Sequence, residues 1–109
     1  MKDWDNIITQ LLEFRKDRDW EQFHNPKDLA LALSIEASEL NELFLWKSPE
    51  AADKEKIKHE IADIFSFLLL LVHEYKLDIS AIMAEKIHIN NEKYPVAKAK
   101  GNATKYTEL

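Results

Sequence analysis

Between Pro49 and Pro95 the chain contains neither proline nor glycine, so residues 50–94 carry no helix breaker. The remaining proline is Pro26 and the single glycine is Gly101. This distribution predicts an all-α chain. At 109 residues there is room for one domain and one core.

Apolar periodicity places the helices. Trp4, Ile7, Ile8, Leu11, Leu12 and Phe14 predict a first helix over 3–19. Asn25 is a good N-cap and Pro26 fits a first helical position, so a second helix should start there and run to about Trp46. Ser48 and Pro49 repeat that signal for a short turn. A third helix is expected over about 53–75. A fourth, capped by Asp78, is expected over about 79–93, with an irregular tail from about residue 94. The third helix is apolar on every face from Ile64 to Val72 except at Ser66. Such a helix needs neighbours on all sides. Four helices of one short chain can hardly supply them, so a four-helix bundle-like subunit that assembles into a homo-oligomer is expected.

Composition excludes several classes. There is no cysteine, hence no disulfide, thiolate metal site or cysteine nucleophile. The net charge of −5 gives no long-range attraction for nucleic acid, so a phosphorylated ligand would have to be held locally, most simply through metal ions. The longest apolar run, residues 64–72, spans about 13 Å as a helix, too short for a bilayer. No basic-then-apolar leader is visible at the start, which makes cytoplasmic residence the expectation.

One apolar line is broken by a charge. Leu29, Leu33, Leu40 and Leu43 recur at helical spacing, and the next place on that line is Glu36. Glu39 follows three positions on, and Glu60 and Asp63 repeat the separation on the third helix. Residues three apart share a helix face. Short connections make the two helices neighbours, so both pairs can face one groove. Four ionised carboxylates raise one another's pKa and need protons or cations to balance them. Oxygen ligands without thiolate suit Mg²⁺ or Mn²⁺, and magnesium favours sites completed by substrate phosphates. A single E-x-x-E pair is common on solvated helix faces. Two pairs, one on an apolar line and one leading into the most apolar helix, point to a metal site. Glu42 turns away from Glu36 by about 120° and reads as surface.

Such a site suits phosphoanhydride hydrolysis, with metal ions neutralising a triphosphate and a glutamate taking the proton of the attacking water. Trp20, Phe23, His24 and Trp46 flank the acidic helices, and of these Trp20, His24 and Trp46 are candidates to hold a base.

The segments "IEASE" and "EIAD", with "RDWEQFHNPKDLALAL", "ELNELFLWK", "KYP" and "KYTEL", resemble the MazG-like all-α nucleoside triphosphate pyrophosphohydrolases, above all their dCTP pyrophosphatase branch. The resemblance runs from about Arg18 to the end. It implies Mg²⁺-dependent hydrolysis of a deoxynucleoside triphosphate to the monophosphate and pyrophosphate. It also implies Glu36, Glu39, Glu60 and Asp63 as metal ligands, and a base near Trp20, His24 and Trp46. Lys86, Asn90, Lys93 and Tyr94 are implied as phosphate or sugar contacts, a homotetramer of two tight dimers as the assembly, and clearance of damaged or excess deoxynucleotides as the role. The chain departs from the branch at Phe67, where a ring without a hydroxyl replaces tyrosine, and before "YP", where only Lys93 is basic.

Two rivals are distinguishable. "EQFH" at 21–24 and "EKIH" at 85–88 resemble the E-x-x-H motifs of di-iron carboxylate bundles, but the first falls in the loop before Pro26. A non-catalytic helical interaction module would make no use of the four carboxylates.

Overall fold

The computed structural model describes residues 2–109. Its elements are α1 (Lys2–Asp17), α2 (Pro26–Glu42), α3 (Lys54–Glu74), α4 (Ile79–Lys93) and a short α5 (Val96–Ala99). Three 3₁₀ turns cover Glu21–Phe23, Pro49–Ala51 and Tyr106–Glu108, and no strand occurs among the described residues. The chain divides into two compact units, one ending at Leu77 and the other spanning Asp78–Leu109.

Side-chain caps start the long helices. Asn25 Oδ1 accepts from the Asp28 N–H at 2.9 Å with Pro26 behind it. Asp53 Oδ1 accepts from Glu55 and Lys56 at 3.0 and 3.3 Å. Asp78 Oδ1 accepts from Ala81 at 2.9 Å. Each cap satisfies backbone donors that a helix start leaves free. Ser48 makes no such bond, and Pro49 begins a 3₁₀ turn only.

Helix ends differ from the periodicity in three places. Helix α1 stops at Asp17, two residues early, because Asp19 is left-handed (φ 55°). The N–H groups of Trp20 and Asp19 then bond back to the carbonyls of Arg15 and Lys16, at 2.9 and 3.0 Å, which is a Schellman closure. Helix α2 stops at Glu42 rather than Trp46. Leu43, Phe44 and Leu45 bond three residues back instead of four, and Trp46 turns the chain with φ 61°. The apolar period continues through this stretch while the backbone tightens, which hides the boundary from the pattern. The third difference is the tail, which is not irregular throughout. The Pro95 carbonyl accepts from Lys98 and Ala99 at 2.9 Å each to form α5. Tyr106 packs edge-on to Tyr94 at 5.9 Å, with Lys93 Nζ 4.7 Å from the Tyr106 ring centre.

In the first unit α3 packs chiefly on α2 and also on α1. Leu29, Leu69, Leu70 and Val72 are the buried aliphatics. The same register leaves Ile61, Phe65 and Leu68 of α3 exposed, with Trp4 stacked on Phe65 at 6.1 Å. Leu29 is the most enclosed residue, 1% exposed, at the first inward position of α2. Leu29→Ala should cost about 3 kcal/mol of folding stability, read as a lower urea midpoint at unchanged slope.

Candidate active site

Glu36 of α2 and Glu60 and Asp63 of α3 each present a carboxylate oxygen, and these oxygens lie within 4.8 Å of one another. No other such cluster of acidic, histidine or cysteine ligands occurs among the described residues. The spacing is helical geometry at work. Glu60 and Asp63 stack one turn apart on α3, and Glu36 sits on the line of α2 that also carries Leu29. Glu36 and Glu60 are half-buried and Asp63 is exposed. Glu39, also exposed, lies one turn along from Glu36 and close enough to repel its charge.

The electrostatics show the strain of this arrangement. The Oε2 atoms of Glu36 and Glu60 are buried without a hydrogen-bond partner. A proton on Glu36 supplies a donor toward the Glu60 carboxyl, and this pushes the Glu36 pKa up from 4.5 to about 7, with burial and the Glu39 charge adding to the effect. A cation would meet the same need. An oxygen-only donor set, with orphaned lone pairs turned toward one another, fits a hard divalent ion.

Beside the carboxylates lies a cavity of about 400 Å³. Glu36, Asp63 and Ser66 line it together with an aromatic group, Phe14, Trp20, His24 and Phe67, and with Arg15, Leu11 and Leu70. The turn after α1 brings Trp20 edge-on to Phe14 at 5.7 Å. The ring of His24 lies 6.5 Å from Trp20 and 6.3 Å from Phe67. Burial, and then the charge of Arg15, hold the His24 pKa below its ordinary value against the opposing pull of Glu74, so the ring is neutral at pH 7. Its Nδ1 is buried and unpartnered.

Of the residues singled out from sequence, Trp20, His24 and Phe67 thus share one cavity wall with Glu36 and Asp63. Trp46 does not line the cavity; it stands 94% exposed on the turn after α2. Lys86, Asn90, Lys93 and Tyr94 belong to α4 and its cap, in the second unit. Phe14, Arg15 and Ser66 were not singled out. Arg15 carried a readable signal: it continues the inward line of Trp4, Ile8, Leu11 and Leu12 on α1, a charge on an apolar stripe like Glu36.

Comparison with known proteins places this geometry in context. The sequence model of the MazG-like family matches residues 31–109. The chain is 39% identical over 105 residues to dCTP pyrophosphatase 1 of Rattus norvegicus and 37% identical to that of Homo sapiens. In each case the match covers 89% of this chain and 62% of the relative, so the chain spans less than two thirds of the length of these curated relatives. A crystal structure of a pyrophosphatase from Archaeoglobus fulgidus superposes with a TM-score of 0.77 at 34% identity, covering 84% of this chain and 91% of that one.

The raised Glu36 pKa has a testable sign. The folded state holds this proton more tightly than the unfolded chain does, so the contribution to stability is full below pH 4.5 and is lost as pH rises through about 7. In EDTA the thermal midpoint of the wild type should therefore fall between pH 5 and pH 8 relative to that of Glu36→Gln. Added Mg²⁺ or Mn²⁺ should raise the wild-type midpoint more at pH 8 than at pH 5.5, because protons and cations compete for the same oxygens.

Proposed function

This chain belongs to the MazG-like family, and on that premise we propose that it hydrolyses deoxynucleoside triphosphates, dCTP by preference, to the monophosphate and pyrophosphate in a Mg²⁺-dependent reaction. The observation that carries this reading is the convergence of Glu36, Glu60 and Asp63 beside an aromatic cavity large enough for a nucleobase. Oxygen ligands and rings lining one cavity suit a substrate that is phosphate at one end and planar at the other.

Glu36, Glu60 and Asp63, with Glu39 beside them, would hold the divalent cation. Bound there, the ion supplies neutralising charge for the phosphates and acidifies water. The protein's own groups do the rest. A carboxylate of the cluster takes the proton as the water oxygen bonds to the α-phosphorus and the bond from that phosphorus to the bridging oxygen breaks. Pyrophosphate leaves with the bonding pair. Phe14, Trp20, His24 and Phe67 enclose the base and exclude water from it. Trp46 offers a further ring from its exposed turn, and Lys86, Asn90, Lys93 and Tyr94 are proposed to contact phosphate or sugar. Ring-stacking holds any base; selection needs a polar reader.

We place the reaction in one MazG-like domain, in the cytoplasm, with a role in clearing damaged or excess deoxynucleotides. No helix among the described residues is long and apolar enough to cross a membrane. A homotetramer is proposed as the working form, supported by the exposed Ile61, Phe65 and Leu68 on one stripe of α3. Sedimentation equilibrium should give four times the chain mass, and Phe65→Asp should reduce it.

Product analysis tests the reaction. With dCTP and Mg²⁺ the initial products should be dCMP and pyrophosphate in equal amounts; orthophosphate alone would refute cleavage at the α-phosphorus. Glu36→Gln and Asp63→Asn should each lower kcat/KM by at least the roughly hundredfold that lesser changes around metal sites cause. Full activity in both variants would refute the proposed metal site.

A further inference from the structure

We infer that Arg15 is the base-reading residue of this site, and that its guanidinium selects cytosine over uracil through the adjacent N3 and O2 acceptors of the pyrimidine ring. The inference rests on the nucleotide reading above and adds to it the group that discriminates between bases.

Arg15 is the one charged residue buried among the described residues, 8% exposed. Its Nη2 donates to Glu74 Oε1 at 3.1 Å, tying α1 to the end of α3. Its Nε and Nη1 are closed off from solvent and find no acceptor among the described residues. A buried N–H without a partner is costly, more so on a charged group, and natural interiors seldom tolerate it without a reason. Arg15 also lines the cavity that Glu36 and Asp63 share. The missing acceptor is one a ligand brings when its ring enters and the aromatic wall gives slightly.

Two considerations identify that acceptor as a base edge. The first is charge. Glu74 already answers the positive charge of Arg15, which leaves N–H groups to offer rather than net attraction for a phosphate. The second is shape. The surrounding wall is rings, from Phe14, Trp20, His24 and Phe67, and these fit a flat ligand. Nε and Nη1 flank Cδ and cannot act as a pair, so the fork is the second hydrogen of Nη2 together with one of them, an edge that pairs best with two neighbouring acceptors. Cytosine offers N3 and O2 side by side. Uracil places an N3–H in the first position, which would meet the fork donor against donor. The exocyclic amine of cytosine lies next along the same edge, and neutral His24 has an unpartnered Nδ1 in the same wall.

The test is the ratio of kcat/KM for dCTP to that for dUTP, by pyrophosphate release with Mg²⁺, in wild type, Arg15→Gln, Arg15→Lys and Glu74→Gln. It is paired with calorimetric titration of dCMP and dUMP in EDTA, which needs neither metal nor turnover. Arg15→Gln should lower the ratio by about tenfold or more, the scale of one bidentate pairing, through loss on dCTP. Arg15→Lys should fall between, and Glu74→Gln should keep the preference. The dCMP to dUMP affinity ratio should move in parallel. If Arg15 is only a brace between α1 and α3, all three variants will lower both substrates alike and leave the ratio unchanged, which overturns the inference. If Arg15→Gln does not fold, Arg15→Lys decides by the same ratio. A wild type that releases no pyrophosphate from any deoxynucleoside triphosphate would sink the nucleotide reading and this inference together, whereas an active wild type with an unmoved ratio sinks this inference alone.

Discussion

Carboxylate oxygens within 4.8 Å of one another repel, and in this chain the packing of α2 against α3 holds them there. The helices could relieve the repulsion by rotating Glu36 toward solvent. That would also carry Leu29, on the same line of α2, out of the core, where it is the most enclosed side chain. Burying an aliphatic side chain is worth about 2 kcal/mol or more, so the core fixes the register and the register fixes the acidic cluster. The tension is then discharged chemically, by a proton on Glu36 or by a cation, rather than by movement. A pKa near 7 in a group whose ordinary value is 4.5 is the mark of that constraint.

The core that imposes this register is small. Four aliphatic side chains are buried among the described residues, while Ile61, Phe65 and Leu68 on one side of α3 and Leu31 and Ile35 on α2 stay exposed. Apolar surface left on a helix that already packs on two others is surface suited to another partner. Helix α3 thereby serves several ends with different faces: Leu69 and Leu70 are buried in the core, Glu60 and Asp63 join Glu36 in the acidic cluster, and Phe65 and Leu68 are exposed.

Much of this architecture was legible because its signals are local. Asn25 with Pro26 and Asp78 mark helix starts by residue chemistry alone, and each side chain is seen bonding the backbone it should, whereas the cap of α3, Asp53, is seen only in the structure. Helix ends were less legible. Asp19, Trp46 and Lys76 take left-handed backbone without being glycine, so no residue type announces the turn. Trp46 illustrates the cost: the apolar period runs on past Glu42, and a residue expected to end a helix lies on an exposed turn instead. In the site, Glu36 was visible as a charge on an apolar line. Arg15 stands on the equivalent line of α1 but raises no question in the sequence, because a basic residue near a helix C-terminus also satisfies the dipole. Its burial, and its bond to Glu74 59 residues away, belong to tertiary structure.

The two interrupting charges, of opposite sign, line one cavity. Carboxylates without compensation repel a polyanion, so affinity for the proposed triphosphate would be coupled to whatever neutralises Glu36, Glu60 and Asp63, and the coupling would be reciprocal. Arg15 and Glu74 form an ion pair with little net charge, and Arg15 Nε and Nη1 find no acceptor among the described residues. A phosphate gains little from a guanidinium already paired, whereas a neutral acceptor on a ring loses nothing by it. The same pairing that removes Arg15 as an anion trap therefore leaves it suited to reading a base. On the proposed function, phosphates placed away from the carboxylates would lie out of reach of any cation held there and would gain little from the paired Arg15. Phe14, Trp20 and Phe67 would add contact area indifferent to which base the proposed substrate carries.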